Sequence, residues 1–140
     1  MSRILICDID GVVCDSSARI SRFSDVAALE RGDYNAFRVS MHAYGQSSTE
    51  EDIPIHHGIH LLHSLIAFHN PDRTIFLTSR GAESRNNTRR WLHSHVLKHL
   101  DDEDLIMRPE YRQTEPGVFW REGEPRFDHI EFKKGEALNC

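Results

Sequence analysis

With 140 residues and an apolar fraction of 39%, the chain has the size and composition of one globular domain with an ordinary core, and a second large domain is not expected. Its 22 acidic residues against 17 basic ones give a net charge of −5, which excludes a global positive field drawing it onto nucleic acid or anionic membrane, so any anion site must be local. No apolar run approaches about 18 residues, so no membrane span is expected; Cys7, Cys14 and Cys140 form neither a CxxC pair nor an even framework, which points to a reducing cytoplasm.

Met1 to Arg3 lead straight into Ile4-Leu5-Ile6-Cys7, with no charged leader or cleavage site expected before it. This short apolar run stops at Asp8 and predicts a strand buried on both faces of a parallel sheet. From Cys14 to about Asp52 the pattern is mixed, with single aromatics at Phe23, Tyr34, Phe37 and Tyr44. That stretch predicts irregular structure with short helices, a small cap-like insert over 14–53.

After Pro54, Ile59, Leu62, Leu65 and Ile66 recur at helical offsets and predict an amphipathic helix over 57–69, ended by Asn70-Pro71. Thr74 to Thr78 predicts a second buried strand, and 87–100 a second helix with Leu92, Val96 and Leu100 as its stripe. Leu105, Ile106 and Met107 predict a third strand, stopped at Arg108-Pro109. Strands alternating with helices imply an α/β fold built on a parallel sheet. Residues 110–128 are expected to form an ordered loop, and a last helix to begin near Lys133.

Asp8-Ile9-Asp10-Gly11-Val12 carries the chemistry. It sets two carboxylates two residues apart, directly after a buried strand, with a glycine that lets the backbone turn sharply. Such a pair can hold magnesium, which takes oxygen ligands and keeps several waters. Asp8 could then attack phosphorus to give an aspartyl phosphate, and Asp10 could protonate the leaving alcohol and later activate water.

Ile4 to Val13, an apolar strand followed by DxDG and Val, resembles the first motif of the haloacid dehalogenase superfamily. Ile75-Phe76-Leu77-Thr78, followed by Ser79-Arg80, is similar to its second motif, and Lys134-Gly135-Glu136-Ala137-Leu138 to its third. The resemblance implies a Rossmann-like sheet with helices on both faces and a magnesium-dependent phosphatase. It further implies Asp8 and Asp10 as catalytic residues and metal ligands. Thr78, Ser79 and Arg80 would bind the phosphoryl group, with Lys134, or Lys133 in its place, offsetting charge repulsion. The fourth motif, an acidic pair after another strand, has no counterpart up to Cys140, so a chain truncated before it is expected. The Ile4–Cys7 strand would then present an unpaired edge open to association with a second copy.

Arg80, Arg85, Arg89, Arg90 and Lys98 stand against the single acid Glu83, and 101–104 reads as a solvated acidic turn. The run from Thr78 through Trp91 resembles the phosphatase domain of polynucleotide kinase/phosphatase enzymes, and Asp33 to Phe37 looks like their insert. The implied substrate is a nucleic-acid 3′-phosphate or a nucleotide. A phosphate- or partner-binding module without turnover, and a phosphotransferase using the same intermediate, stay open as alternatives. His56, His60 and His63 have metal-like offsets, but ten histidines make such spacing common by chance, and no zinc site is expected.

Overall fold

The computed structural model describes residues 2–116 and 118–122. The elements run β1 (Ile4–Cys7), β2 (Cys14–Asp15), α1 (Ser17–Phe23), α2 (Val26–Glu30), α3 (Tyr34–Gln46), β3 (Ile53–Pro54) and α4 (His56–His69), followed by β4 (Arg73–Gly81), α5 (Arg85–His95), β5 (Leu105–Arg108), β6 (Arg112–Glu115) and β7 (Val118–Trp120). The chain is a mixed α/β protein whose main sheet has three parallel strands in the order β1-β4-β5.

The register sets Cys7 beside Phe76 and Phe76 beside Leu105, so these three share a face. Ile59 and Leu62 of α4 and Trp91 and Leu92 of α5 join them in one buried cluster. Each large apolar side chain sealed there contributes roughly 1.5–3 kcal/mol. Asn70 closes α4 in the left-handed region, φ 45°, as a helix C-terminus before proline favours.

The opposite face differs from the expectation of helices on both sides. Ile4, Ile6, Leu77 and Ile106 are 51%, 62%, 50% and 45% exposed, and among the described residues both long crossover helices cover the other face. The path explains this, because the chain steps from β1 to β4 to β5 in one direction, and crossovers of one hand moving one way land on one side. Among the described residues β1 lies at the sheet edge.

Three further elements differ from their sequence patterns. The segment after β2 contains a thirteen-residue helix, α3, whose start is capped by Asp33 accepting the Ala36 N–H at 3.2 Å. α5 stops at His95, yet Val96 and Leu100 remain buried in the core; their spacing reflects packing rather than helix. Arg112–Glu115 and Val118–Trp120, expected in a loop, pair antiparallel as β6 and β7. At the base of the insert, β2 and β3 pair antiparallel, Cys14 with Pro54 and Asp15 with Ile53, which brings the two ends of that segment together. The helix expected near Lys133 lies outside the described residues.

Candidate active site

The turn after β1 winds around one carbonyl. Ile9 O accepts the N–H groups of Val12, Val13 and Cys14 at 3.2, 3.0 and 3.1 Å, and Gly11 N–H donates to Cys14 O at 2.9 Å. Gly11 sits at φ 80°, a conformation that only glycine adopts without strain. Ile9 and Val13 are fully buried, which anchors the turn in the core. The first turn of α4 braces it from outside: Gly58 lies so close to the Val12 carbonyl that a β-carbon there would overlap it.

This turn sends its two carboxylates into different surroundings. Asp8 is exposed, and its Oδ1 accepts the Ile9 N–H at 2.7 Å. It shares an open depression of about 450 Å³ with Ile6, Leu77, Thr78, Ser79 and Arg108. The fold thus brings Asp8, Thr78 and Ser79 together at the carboxyl ends of adjacent parallel strands, where open α/β sheets take ligands. Thr78 is buried and its Oγ1 accepts the Arg80 N–H at 3.1 Å, leaving the hydroxyl hydrogen to donate; Ser79 is exposed.

Asp10 is held instead. The Arg80 guanidinium donates to it twice, Nε to Oδ2 at 3.0 Å and a terminal nitrogen to Oδ1 at 2.7 Å, and Ser16 Oγ donates to Oδ1 at 2.9 Å. Arg80 is 5% exposed and also reaches Thr88 Oγ1 at 3.1 Å and Asp52 Oδ2 at 3.4 Å. The fork expected to grip phosphate therefore grips Asp10, and Arg80 is a positioning group in this arrangement. Asp52, fully buried in its side chain, accepts a second fork from Arg19 at 2.9 and 2.8 Å. Arg19 in turn donates to Tyr44 O at 2.9 Å and lies 4.1 Å from the centre of the Tyr44 ring. Two acids and two guanidiniums thus alternate through the interior, which is how buried charge is tolerated.

Burial pushes the Asp10 carboxyl up, but the hydrogen bonds and charge of Arg80, with help from Ser16 and Arg19, outweigh it and leave the pKa below the usual 3.8. Asp10 is ionised at neutral pH. Burial likewise raises the Cys7 thiol to about 11 and the Cys14 thiol to about 12, so both are inert as nucleophiles near neutrality.

Of the two carboxylates expected to hold a divalent cation, Asp8 is open, whereas both oxygens of Asp10 are engaged by Arg80 and Ser16. Among the described residues no group of three His, Cys, Asp or Glu side chains converges as a ligand set. Magnesium needs only one or two carboxylates beside substrate and water, and the exposed Asp8, whose side chain among the described residues is bound to one backbone N–H at Oδ1, suits such an ion. Lys133 and Lys134 lie outside the described residues.

The expected basic patch is largely answered by the acidic turn after α5. Asp102 pairs with Arg85 at 3.2 Å and Arg89 at 3.5 Å, Arg85 also donates to Leu105 O at 2.9 Å, and Arg80 is internal. Reading charges along the chain missed this because the turn folds back onto the helix that carries the arginines. The buried pairing of Arg19, Asp52 and Glu83 carries no local signal in the sequence. Asp52 ends the run Glu50-Glu51-Asp52, whose first two members are exposed, and no local pattern separates the buried one.

No helix of the described residues is long and apolar enough to cross a membrane. Comparison with protein-family models, curated proteins and solved structures returns no significant match.

Proposed function

We propose that this chain is a magnesium-dependent phosphomonoester hydrolase of the haloacid dehalogenase superfamily, acting through an aspartyl phosphate. The observation that supports the reading is the division of labour within one turn. Asp8 is exposed, in a depression shared with Thr78 and Ser79, while Asp10 is fixed by Arg80 two residues on. A nucleophile needs an open approach; an acid–base group needs a fixed place beside it.

In this reading an Asp8 oxygen attacks phosphorus and the bond to the leaving oxygen breaks. Thr78 donates its hydroxyl hydrogen to a phosphoryl oxygen. The incoming phosphate charge raises the proton affinity of Asp10, which takes up a proton from solvent as the substrate binds and passes it to the departing alcohol. In the second half, Asp10 takes a proton from water as the water attacks phosphorus, freeing Asp8 and inorganic phosphate. Magnesium, held by Asp8 when bound, would neutralise phosphate charge. Lys134, or Lys133, would serve the same end.

The substrate proposed is a nucleic-acid 3′-phosphate or a nucleotide, in the cytoplasm. The decisive assay follows phosphate release from a 3′-phosphorylated oligonucleotide with magnesium, comparing Asp8→Asn. Loss of about a thousandfold or more in rate is expected, with unchanged thermal stability; equal release from both proteins rules the nucleophile out. An alcohol acceptor that becomes phosphorylated in the same assay would redirect the reading to a phosphotransferase. The open edge of β1 supports self-association by strand addition, and a monomer mass by sedimentation at rising concentration would reject it.

A further inference from the structure

Ser79 and Arg108 line two cavities, the open depression at Asp8 and a smaller one of about 220 Å³ against Phe37, Met41 and Tyr44 of α3. The strand pairing explains why these two residues meet there. Leu77 of β4 pairs with Ile106 of β5, and the next pair is Gly81 with Arg108. β4 thus advances from Leu77 to Gly81 while β5 advances only from Ile106 to Arg108. The surplus falls on Thr78, Ser79 and Arg80, an irregularity of the bulge kind that re-aims side chains beside a site.

Side chains on a strand alternate between faces. Along β5, Leu105 is buried, Ile106 is exposed, Met107 packs against the core and Arg108 is exposed. Arg108 therefore shares the open face with Ile106, as Asp8 follows Ile6 on that face at the end of β1. β4 lies between β1 and β5, so two strand spacings, roughly 10 Å, separate the backbones of Asp8 and Arg108. A phosphoryl group over Thr78 and Ser79 would have a carboxylate on one flank and a guanidinium on the other.

The charges point the same way. An anionic nucleophile and a phosphoryl dianion repel, so the site needs a cation that reaches the substrate. The fork of Arg80 closes on Asp10, and Arg80 is 5% exposed. Arg121, which lines the smaller cavity, is equally buried and pairs with Glu83 at 3.4 Å. Of the arginines lining these cavities, Arg108 is the exposed one.

We propose that Arg108 is a substrate-binding residue, whose guanidinium holds the phosphoryl group over Thr78 and Ser79 from the side opposite Asp8. The proposal rests on the phosphatase reading and gives it the cationic contact that Arg80 does not make. A planar guanidinium suits this task because it offers parallel N–H donors to two phosphoryl oxygens at once.

The test compares wild type, Arg108→Ala and Arg89→Ala, all with magnesium. Calorimetry follows the binding of inorganic phosphate, and a rate assay gives kcat/KM for p-nitrophenyl phosphate. Arg89 is the control, a partly exposed arginine of α5 that faces Asp102. Arg108→Ala is expected to weaken phosphate binding and to lower kcat/KM by about ten- to a hundredfold each, the latter mainly through KM. Arg89→Ala is expected to stay within about twofold on both. Unchanged phosphate binding by Arg108→Ala overturns the proposal, and so do equal losses in the two variants, which would report a general field rather than a contact. Should Arg108→Ala fail to fold, Arg108→Lys, which keeps the charge without the fork, must still lose about three- to tenfold in phosphate affinity; full affinity counts against the proposal. Wild type that binds phosphate but releases none from the ester removes the phosphatase reading, and the calorimetry alone then decides the Arg108 contact. Wild type that does neither overturns both.

Discussion

Asp8 and Asp10 leave the same turn, yet one half of the site is open and the other is locked. Around Asp8 there is a shallow depression floored by Ile6 and Leu77, and one hydrogen bond to a neighbouring backbone N–H. Around Asp10, Arg80, Asp52 and Arg19 form a chain of charge-assisted hydrogen bonds with almost no exposure. The contrast separates two demands on a catalytic surface. In the proposed reaction the attacking group has to be reached, whereas the group beside it has to be still, and the fold would meet the second demand with interior ion pairs rather than with backbone alone.

The sharpest way to break the locked half is Asp52→Ala. It strands the guanidinium of Arg19 in the interior and removes one partner of Arg80, which keeps Asp10, and a loss of about 3–5 kcal/mol is expected in urea unfolding. A loss under about 1 kcal/mol would mean that the chain of pairs is not what holds this region. Next in size is Gly58→Ala, which forces a β-carbon against the Val12 carbonyl. A destabilisation of about 1–3 kcal/mol is expected, together with reduced activity because the turn carrying both carboxylates must move; an unshifted melting temperature would show that the brace is slack.

A pH titration of stability sharpens the contrast between the carboxylates. The Asp10 carboxyl is held below its usual 3.8 in the folded state. Its pairing therefore contributes stability that is complete above that ordinary value and disappears as pH falls through the lower folded one. Asp10→Asn should flatten the acid limb below about pH 4, and an acid limb identical to wild type would contradict the pairing. The smallest effect belongs to Asp102→Ala. Its partners Arg85 and Arg89 are partly exposed, so less than about 1 kcal/mol is expected, measured by the same urea series.

The parallel sheet was legible because each of its strands is a continuous apolar run ending in polar residues, and the two acids after Cys7 announce themselves by position. α4 was legible for the same reason in its helical period. What stayed hidden is where polar residues do the packing. Arg19, Arg38 and Arg80 are 1%, 3% and 5% exposed, so a periodicity search that assigns arginine to the surface loses the inner faces of α1 and α3 and the far end of β4. The β6–β7 pairing was missed for a related reason: Arg112 and Gln113 are exposed and give no alternating apolar signal, while Asn35 on α3 accepts the Phe119 N–H at 2.9 Å and supplies a long-range anchor.

The ties between the insert and α5 fix the insert on one side of the site. Ser47 O accepts Asn87 Nδ2 at 3.1 Å, Thr49 Oγ1 donates to Asn87 O at 3.3 Å, and Trp91 Nε1 donates to Asp52 O at 3.2 Å. Three bonds from one helix rivet the returning arm of the insert like a fixed awning. Among the described residues, that leaves Asp8 open on the flank where Ile6 and Leu77 face outward, the side from which a substrate of the proposed reaction would approach.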